Sequence, residues 1–480
     1  MSEHLDTSPK AQQEGLIDSL RFGIQYDPYA NLTEVASKPE SLFRLNKAVS
    51  HYMQHGAIAV FERNQTESYE VRADRAEELL RVALLSNGYN DNGRGFVTVG
   101  QLMAFSNLHP TYGYYNLKHG VGKISSAFTT PLELDPEYSQ SYGKMCRKAY
   151  EALGDKKKFT KDSPFTVFVV GDGNGRITNE IVHALLSDGI DPEGLHIIIV
   201  DASQRLLDIQ TTYGIAAGLK VTSIHQDARS LHTVINRFRN PRGVIIAGEE
   251  LVDDFPSPLI TRSDTDIFER GLEIYGPNIL GMYRYAKDPY LQKLWREWTK
   301  VFPEYVHIAT SNKMGETSDV PLNVGFLSLL SAICSSDFTG YFLGGDYCTM
   351  FKSKTNIPHQ GIRFYEPPTG LSSLYTAAAT RKGVLTVDVD PRLLTWAAYN
   401  GMTIQTLTRM GHFIDAALDR PMTTQVEIAQ SIPEDFTGLL SDAKRRELEL
   451  LHDRWSGNRF NWILAKGNVP PLLYSHNNLW

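Results

Sequence analysis

Short apolar runs and longer amphipathic stretches alternate along the middle of this chain. The runs "FTVFVV" from Phe165, "LHIIIVD" from Leu195, "KVTSIHQD" from Lys220 and "GVIIAGEE" from Gly243 are rich in β-branched residues. Between them, "RITNEIVHALLSDG" and "SQRLLDIQTTYGIAAG" carry apolar residues at helical spacing. Strands alternating with helices predict βαβ units and a parallel sheet. Near-continuous apolar strands fit a sheet covered on both faces. "GYFLGGDY" from Gly340 and "KGVLTVDV" from Lys382 are later strand candidates, with the helix "PRLLTWAAYNG" behind them.

The flanking pattern divides the chain further. Residues 1–15 are polar and expected to be a disordered tail. Residues 16–95 are expected to be mostly helical, because "SLFRLNKAVSHYMQHGAIAVF" and "RADRAEELLRVALLSNG" repeat apolar residues at helical spacing. The link "NGYNDNGRG" is an expected boundary. The α/β domain then runs over 96–260 and 339–430, interrupted by a largely helical cap at 261–338. Residues 431–480 are read as a helical extension, with "DAKRRELELLHDRW" a solvated helix that packs one face. Trp396 is expected in the core behind the sheet.

Composition narrows the function classes. The 480 residues are 42% hydrophobic and 21% charged, as in ordinary globular proteins. A net charge of -7 without a basic run argues against nucleic acid. "VGFLSLLSAICSSDF" is too short and Ser-rich to span a bilayer, so no membrane partner is expected. The start "MSEHLDTSPKAQQEG" has neither a secretory core nor an Arg-rich presequence bias, which predicts a cytoplasmic protein. Three scattered cysteines give no zinc spacing and no disulfide framework, and the fourteen histidines form no paired-ligand motif; no metal is expected.

Candidate chemistry begins at "VVGDGNGR", where Gly171, Gly173 and Gly175 follow the first strand. A Walker loop needs Gly-Lys-Ser/Thr, and Arg176-Ile177 stands there instead. A dinucleotide fingerprint needs a third glycine where Arg176 sits. The remaining ligand-binding reading is the GxGxG turn of a methyltransferase-type sheet, under the amino-acid end of S-adenosylmethionine (SAM). A ligand-free βα turn gives the same pattern. The next strands add acids at their tips. Asp201, followed by Ala202, is placed to accept both ribose hydroxyls or to cap a helix. Asp227 is placed to meet an adenine amino group, with Ala228 offering a backbone N–H. "AGEELVDDFP" then gathers Glu249, Glu250, Asp253 and Asp254. Such carboxylates clamp a guanidinium or take a proton from an amine. Glu250 and Asp253 are the expected working pair, with Glu249 beside them and Asp254 structural. Tyr112, Tyr114 and Tyr115 suit either an aromatic wall near a sulfonium or core packing.

With these residues in place, the chain resembles the MidA-type SAM-dependent methyltransferases, which include the mitochondrial complex I assembly methyltransferase acting on a protein arginine. Over roughly residues 97–415, "LMAFSNLHPTYGYY" is similar to the family's opening, and "FTTPLELDPEYSQSYG" to its Phe-x-Thr-Ala-Pro-Glu-Ile-Ser-Pro segment. "VVGDGNG" is similar to Glu-Leu-Gly-Pro-Gly-Arg-Gly, and "EELVDDFP" to Asn-Glu-x-x-Asp-Ala-Leu-Pro. "GYFLGGDY" and "LTVDVDPRLLTWAAYNGMT" resemble later blocks. The chain departs from the pattern at Val169, where the family has an acid, at Asp172 for Pro, and at Glu249 for Asn. The resemblance implies a class I, Rossmann-like, seven-stranded sheet with an added N-terminal region and a cap. It implies SAM held by Gly171, Asp172, Gly173, Gly175, Asp201, Ala202, Asp227 and Ala228, with Thr130 and Glu133 closing over it. The expected reaction is N- or O-methylation of a cationic, guanidine, amine or amino-acid-like acceptor, on a small molecule or a protein side chain. Two alternatives stay open: SAM-dependent alkyl transfer or cyclisation releasing methylthioadenosine, and a non-catalytic assembly protein. The oligomeric state also stays open, a homodimer being one option.

Overall fold

The computed structural model describes residues 39–59, 89–91, 94–109, 113–116, 130–154, 159–187, 189–216, 218–263, 265–275, 278–309, 319–348, 363–364, 385–423 and 459–473, with 427, 448, 451, 454 and 455 singly. The tail 1–15, Tyr112 and the helix expected over 72–88 lie outside these residues, as does most of "DAKRRELELLHDRW".

Seven strands form the central sheet: β1 (Phe165–Val170), β2 (Leu195–Asp201), β3 (Lys220–His225), β4 (Val244–Glu249), β5 (Gly340–Tyr347), β6 (Met402–Arg409) and β7 (Arg459–Lys466), in the order β6-β7-β5-β4-β1-β2-β3. β1 to β5 run parallel, and β7 runs antiparallel between β5 and β6. The period-two geometry of a strand splits the apolar runs between two cores. Phe168 and Val170 face one core with Ile198, Val200 and Ile246. Phe165, Val167 and Val169 face the other with Ile197, Ile199 and Ile245.

Helices cover both faces. Among the described residues, those of six residues or more are, in chain order, α1 (Pro39–His55), α2 (Val99–Leu108), α3 (Pro136–Leu153), α4 (Arg176–Leu186), α5 (Gln204–Ala216), α6 (Leu231–Phe238), α7 (Pro289–Val301), α8 (Val324–Ser335), α9 (Leu394–Tyr399) and α10 (Met410–Ala417). α3, α4 and α10 pack on the Val167 face through Tyr138, Tyr142, Ile177, Ile181 and Phe413. α6, α8 and α9 pack on the other through Val234, Leu327 and Trp396, the last in the core as expected. β7 brings Trp462 against Phe326 and Phe342, at ring-centroid distances of 5.5 and 6.3 Å. A Cβ on Gly344 would collide with that indole, so the neighbouring strand needs glycine there.

The structure corrects the sequence expectations in several places. The segment 261–338, expected to be largely helical, opens with strands. Leu259–Ser263, Asp266–Tyr275 and Asn278–Tyr285 join Arg94–Thr98 in a separate antiparallel sheet, before α7 and α8 follow. The apolar alternation is hidden because the buried positions Ile267, Glu269 and Gly271 include a charged residue and a glycine. The residues 431–480, expected to be a helical extension, contribute β7. "RFNWILAK" is buried almost throughout, and the polar Arg459 and Asn461 at its start leave a bounded apolar run of only four residues, Trp462 to Ala465, to mark it as a strand. The described part of "KGVLTVDV", residues 385–389, stays out of the central sheet: Leu385–Thr386 pairs with Arg363–Phe364 instead. The link read as a boundary is a hairpin, Tyr89–Asp91 pairing with Arg94–Phe96.

Candidate functional site

The carboxyl ends of β1, β2, β3 and β4 converge on one cleft enclosing about 960 Å³, its open mouth included. At the end of β1 the chain makes three left-handed steps, with φ of 63° at Gly171, 53° at Gly173 and 89° at Gly175. Glycine enters these without the Cβ penalty. A Cβ on Gly171 would also lie 2.6 Å from Leu251 Cδ1.

Asp172 turns its side chain onto the start of α4. Its two oxygens accept from Ile177 N at 2.8 Å and Thr178 N at 2.7 Å. Burial pushes its carboxyl up to about 7 despite these bonds. A helix N-terminus is the usual seat of a pyrophosphate. Here a carboxylate of the protein already holds those amides, so a dinucleotide phosphate would meet like charge. Arg176 reaches outward, to Ser139 Oγ at 3.3 Å and Glu180 at 3.3 Å.

Asp201 ends β2 and is 7% exposed. One oxygen accepts from Ser203 N at 2.8 Å, the other from Gln210 Nε2 at 2.8 Å. A carboxylate oxygen has two lone pairs, so each retains an acceptor site toward the cleft. Burial raises this carboxyl to about 6, against the bonds from Gln210 and Ser203. Gln210 also donates to Gly173 O at 2.9 Å, tying the glycine turn to Asp201. Asp227 lines the cleft, but both its oxygens grip Arg229, at 2.6 to 3.1 Å. Burial alone would raise Asp227; the Arg229 guanidinium brings it below its ordinary value. Ala228, the first residue of a 3-10 turn, has an N–H outside that turn's own bonds.

The acids after β4 separate in space. Glu250 has φ 48°, a left-handed conformation costing a non-glycine residue about 1 kcal/mol. Its N–H donates to Gly345 O at 3.0 Å. Glu249 and Glu250 share Arg459 of β7, which is 1% exposed and donates to them at 3.3 and 2.6 Å. Tyr138 donates to Glu249 at 2.9 Å, and Arg459 stacks 4.0 Å over the Tyr347 ring. Burial, with Glu250 adjacent, drives Glu249 well above its usual range even though Arg459 draws it down. Asp253, expected as a working acid, does not line the cleft; it is 3% exposed and its backbone bonds to Asp346 and Val387. Asp254, expected to be structural, does line it. The tight turn Val252–Phe255 exchanges their directions.

Thr130 faces the cleft and stands at the N-cap of the short helix Pro131–Leu134. Glu133 stands back from the lining but accepts from Asn174 of the glycine turn. Gly175 likewise shapes the turn without lining the cleft. The cleft thus brings together Thr130, Gly171, Asp172, Gly173, Asp201, Ala202, Asp227, Ala228, Glu249 and Glu250. Among the described residues no His, Cys, Asp and Glu cluster is arranged for a metal, and no helix is long and apolar enough to cross a membrane.

Solved structures share this architecture. A COG1565 superfamily member from Burkholderia thailandensis, bound to S-adenosyl-homocysteine, is 17% identical with a TM-score of 0.57; the match covers 83% of this chain and 95% of that one. A second COG1565 superfamily protein from the same organism is 17% identical with a TM-score of 0.58, over 85% of this chain and 98% of that one. The chain has the class I methyltransferase fold. No family model matches it, and no curated protein does.

Sequence reasoning missed Gln210, Asn174, Asp346 and Arg459. Gln210, nine positions after Asp201 on α5, reads in the sequence as an ordinary helix amide, and only its full burial against Asp201 reveals its part. Asp346 sits at the end of β5 and accepts from Val252 N at 2.7 Å and Asp253 N at 3.1 Å, fixing the acid turn. Arg459 left no local signal, being 210 positions from Glu249.

Proposed function

We propose that this protein is a SAM-dependent methyltransferase of the MidA type, acting on a nitrogen or oxygen of a cationic or amine-bearing acceptor. The observation that carries the reading is the pairing of Asp201 with a glycine turn whose helix N-terminus is closed by Asp172. That pairing suits a nucleoside without a pyrophosphate. The donor set fits SAM: both Asp201 oxygens have acceptor capacity left, and the tight glycine turn admits a ligand close to backbone. Asp201 would hold the ribose, Ala228 N–H the adenine edge, and Asp172 with the turn the amino-acid end. Bound there, SAM supplies an electrophilic methyl group on a good leaving group. The chain's contribution is in-line positioning, exclusion of water and acceptance of a proton. Six acids line the cleft against the two guanidinium groups of Arg229 and Arg459, which favours a cationic acceptor.

The test is incubation with SAM and amine or guanidine acceptors, with the sulfur-containing product identified by mass. S-adenosylhomocysteine is expected. Methylthioadenosine would favour alkyl transfer, a reading motivated by Val169, which is fully buried in the core facing α4 and leaves the usual acid position empty of charge. Absence of SAM binding would favour an assembly role and overturn the proposal.

A pH dependence follows. Asp201 and Asp172, held near 6 and 7, serve the ligand as carboxylates. Acidification protonates both. SAM affinity is therefore expected to fall about tenfold from pH 7.5 to 5.5, as each unit of pKa crossed costs up to tenfold. S-adenosylhomocysteine, which keeps the same ribose and amino-acid end, should fall in parallel. Calorimetry with both ligands checks this; equal affinity at both pH values would count against the assignment.

A further inference from the structure

One acid in the cleft is treated differently from its neighbours. Asp227 is matched by Arg229, and Glu249 and Glu250 by Arg459. Asp172 and Asp201 sit on the turn and strand tip assigned to the cofactor. Asp254 lines the cleft on the β4 side and accepts only from neutral donors among the described residues: the Tyr115 hydroxyl and Asn107 Nδ2, the latter at 3.4 Å. It is 8% exposed. Tyr115 is anchored in turn, its carbonyl accepting from Ser203 Oγ at 2.8 Å, next to Asp201. A chain of hydrogen bonds therefore joins the ribose-side acid to Asp254.

We infer that Asp254 is the acceptor-side carboxylate: it pairs with the cationic group of the acceptor and takes its proton during transfer. This rests on the methyl-transfer reading above. As the acceptor nitrogen bonds the methyl carbon, the sulfur–methyl bond breaks and its electron pair stays on sulfur. The proton that nitrogen loses passes to a carboxylate oxygen of Asp254. Tyr115 is a positioning residue and not the base. Burial, then Asp254 itself, pushes its phenol well above the ordinary range, so it stays a donor. Asp254 is also raised by burial, while the Tyr115 bond pulls it down and Asp346 and Glu250 push it up. Among the described residues, the ionisable groups that act on it are Tyr115 from the segment after α2, Asp346 from β5 and Glu250 from the end of β4. A carboxylate so raised holds a transferred proton better than a solvated one.

The experiment uses methylguanidinium chloride as probe, titrated by calorimetry into the full chain saturated with S-adenosylhomocysteine, against sodium chloride as control. Wild type is expected to bind the cation several-fold more tightly at pH 8 than at pH 6. Asp254→Asn should lose about tenfold in affinity at pH 8 and lose the pH dependence, with S-adenosylhomocysteine affinity unchanged. Tyr115→Phe removes the bond that lowers Asp254, so its pH dependence should move to higher pH, which a purely structural role would not produce. If S-adenosylhomocysteine binds but wild type ignores methylguanidinium, the inference fails alone. If Asp254→Asn keeps wild-type affinity and pH dependence, it fails too. If S-adenosylhomocysteine does not bind at all, the methyl-transfer reading fails and the inference with it. Should Asp254→Asn not fold, an unshifted profile in Tyr115→Phe overturns the inference.

Discussion

Replacing Asp201 with alanine is expected to weaken S-adenosylhomocysteine binding by about a hundredfold or more, measured by calorimetry at pH 7.5. Each ribose hydroxyl bond to a buried carboxylate is worth about 1.5–3 kcal/mol. Two such bonds give about 3–6 kcal/mol, or roughly a hundred- to ten-thousand-fold in affinity. The same side chain also holds Ser203 N and Gln210 Nε2, and through Gln210 the carbonyl of Gly173. Alanine therefore loosens the turn as well as the grip on the sugar. Asp201→Asn separates the two effects in part. It keeps the shape but turns an amide nitrogen toward a group that itself donates, Ser203 N–H or the Gln210 amide. Its binding should fall between wild type and alanine, and its melting temperature should drop as well, because a buried donor then faces a donor. Alanine binding within about threefold of wild type would remove the central support for the nucleoside reading.

How far this site was legible in the sequence depends on the distance over which each residue acts. The glycine turn and the tips of β1 to β4 were readable because their cause is local. β1, β2 and β4 are buried along their whole length, so their apolar runs are continuous. Their carboxyl ends must then carry whatever polar groups the cleft uses. Asp253 and Asp254 mark where that logic stops. Neighbours in a turn point opposite ways, and which of them faces the cleft depends on the left-handed Glu250, the Val252–Phe255 bond and the hold of Asp346, 93 positions beyond Asp253, on the turn amides. Composition could not supply that. Asp227 fell between: its place was legible, but its engagement with Arg229, two residues on, competes with the adenine contact expected of it.

The second sheet and β7 were hidden for a different reason. A strand announces itself by alternation or by a bounded apolar run. Strand Asp266–Tyr275 buries Glu269, whose carboxyl burial pushes to about 8, with Asp288 nearby adding to the rise. That charge on the inner face imitates a solvated position. β7 carries buried Arg459 and Asn461 among its apolar residues, and both serve the acid cluster, Asn461 through Tyr138. Polar residues placed in a strand for the site thus erase the pattern by which the strand would be recognised.

Arg459 itself should be the most costly single residue to remove. Replacing it with methionine leaves Glu249 and Glu250 buried together without their cation. Breaking a buried ion pair from one side costs about 3–5 kcal/mol, to be read from denaturant unfolding at pH 8. The loss includes stacking on Tyr347 as well as charge, and lysine, which lacks the planar fork, should recover only part of it. The pH dependence identifies the cause. Without Arg459, the Glu249 carboxyl, already raised in the folded state, rises further. A carboxyl whose folded pKa exceeds its unfolded value favours folding below the unfolded value. That advantage is lost as pH climbs through the folded one. The deficit of Arg459→Met relative to wild type should therefore be smallest near pH 5 and grow toward pH 8. A deficit equal at both pH values would mean that Arg459 acts by packing alone, and the acid cluster would then owe its arrangement to Tyr138 and the Asp346 turn instead.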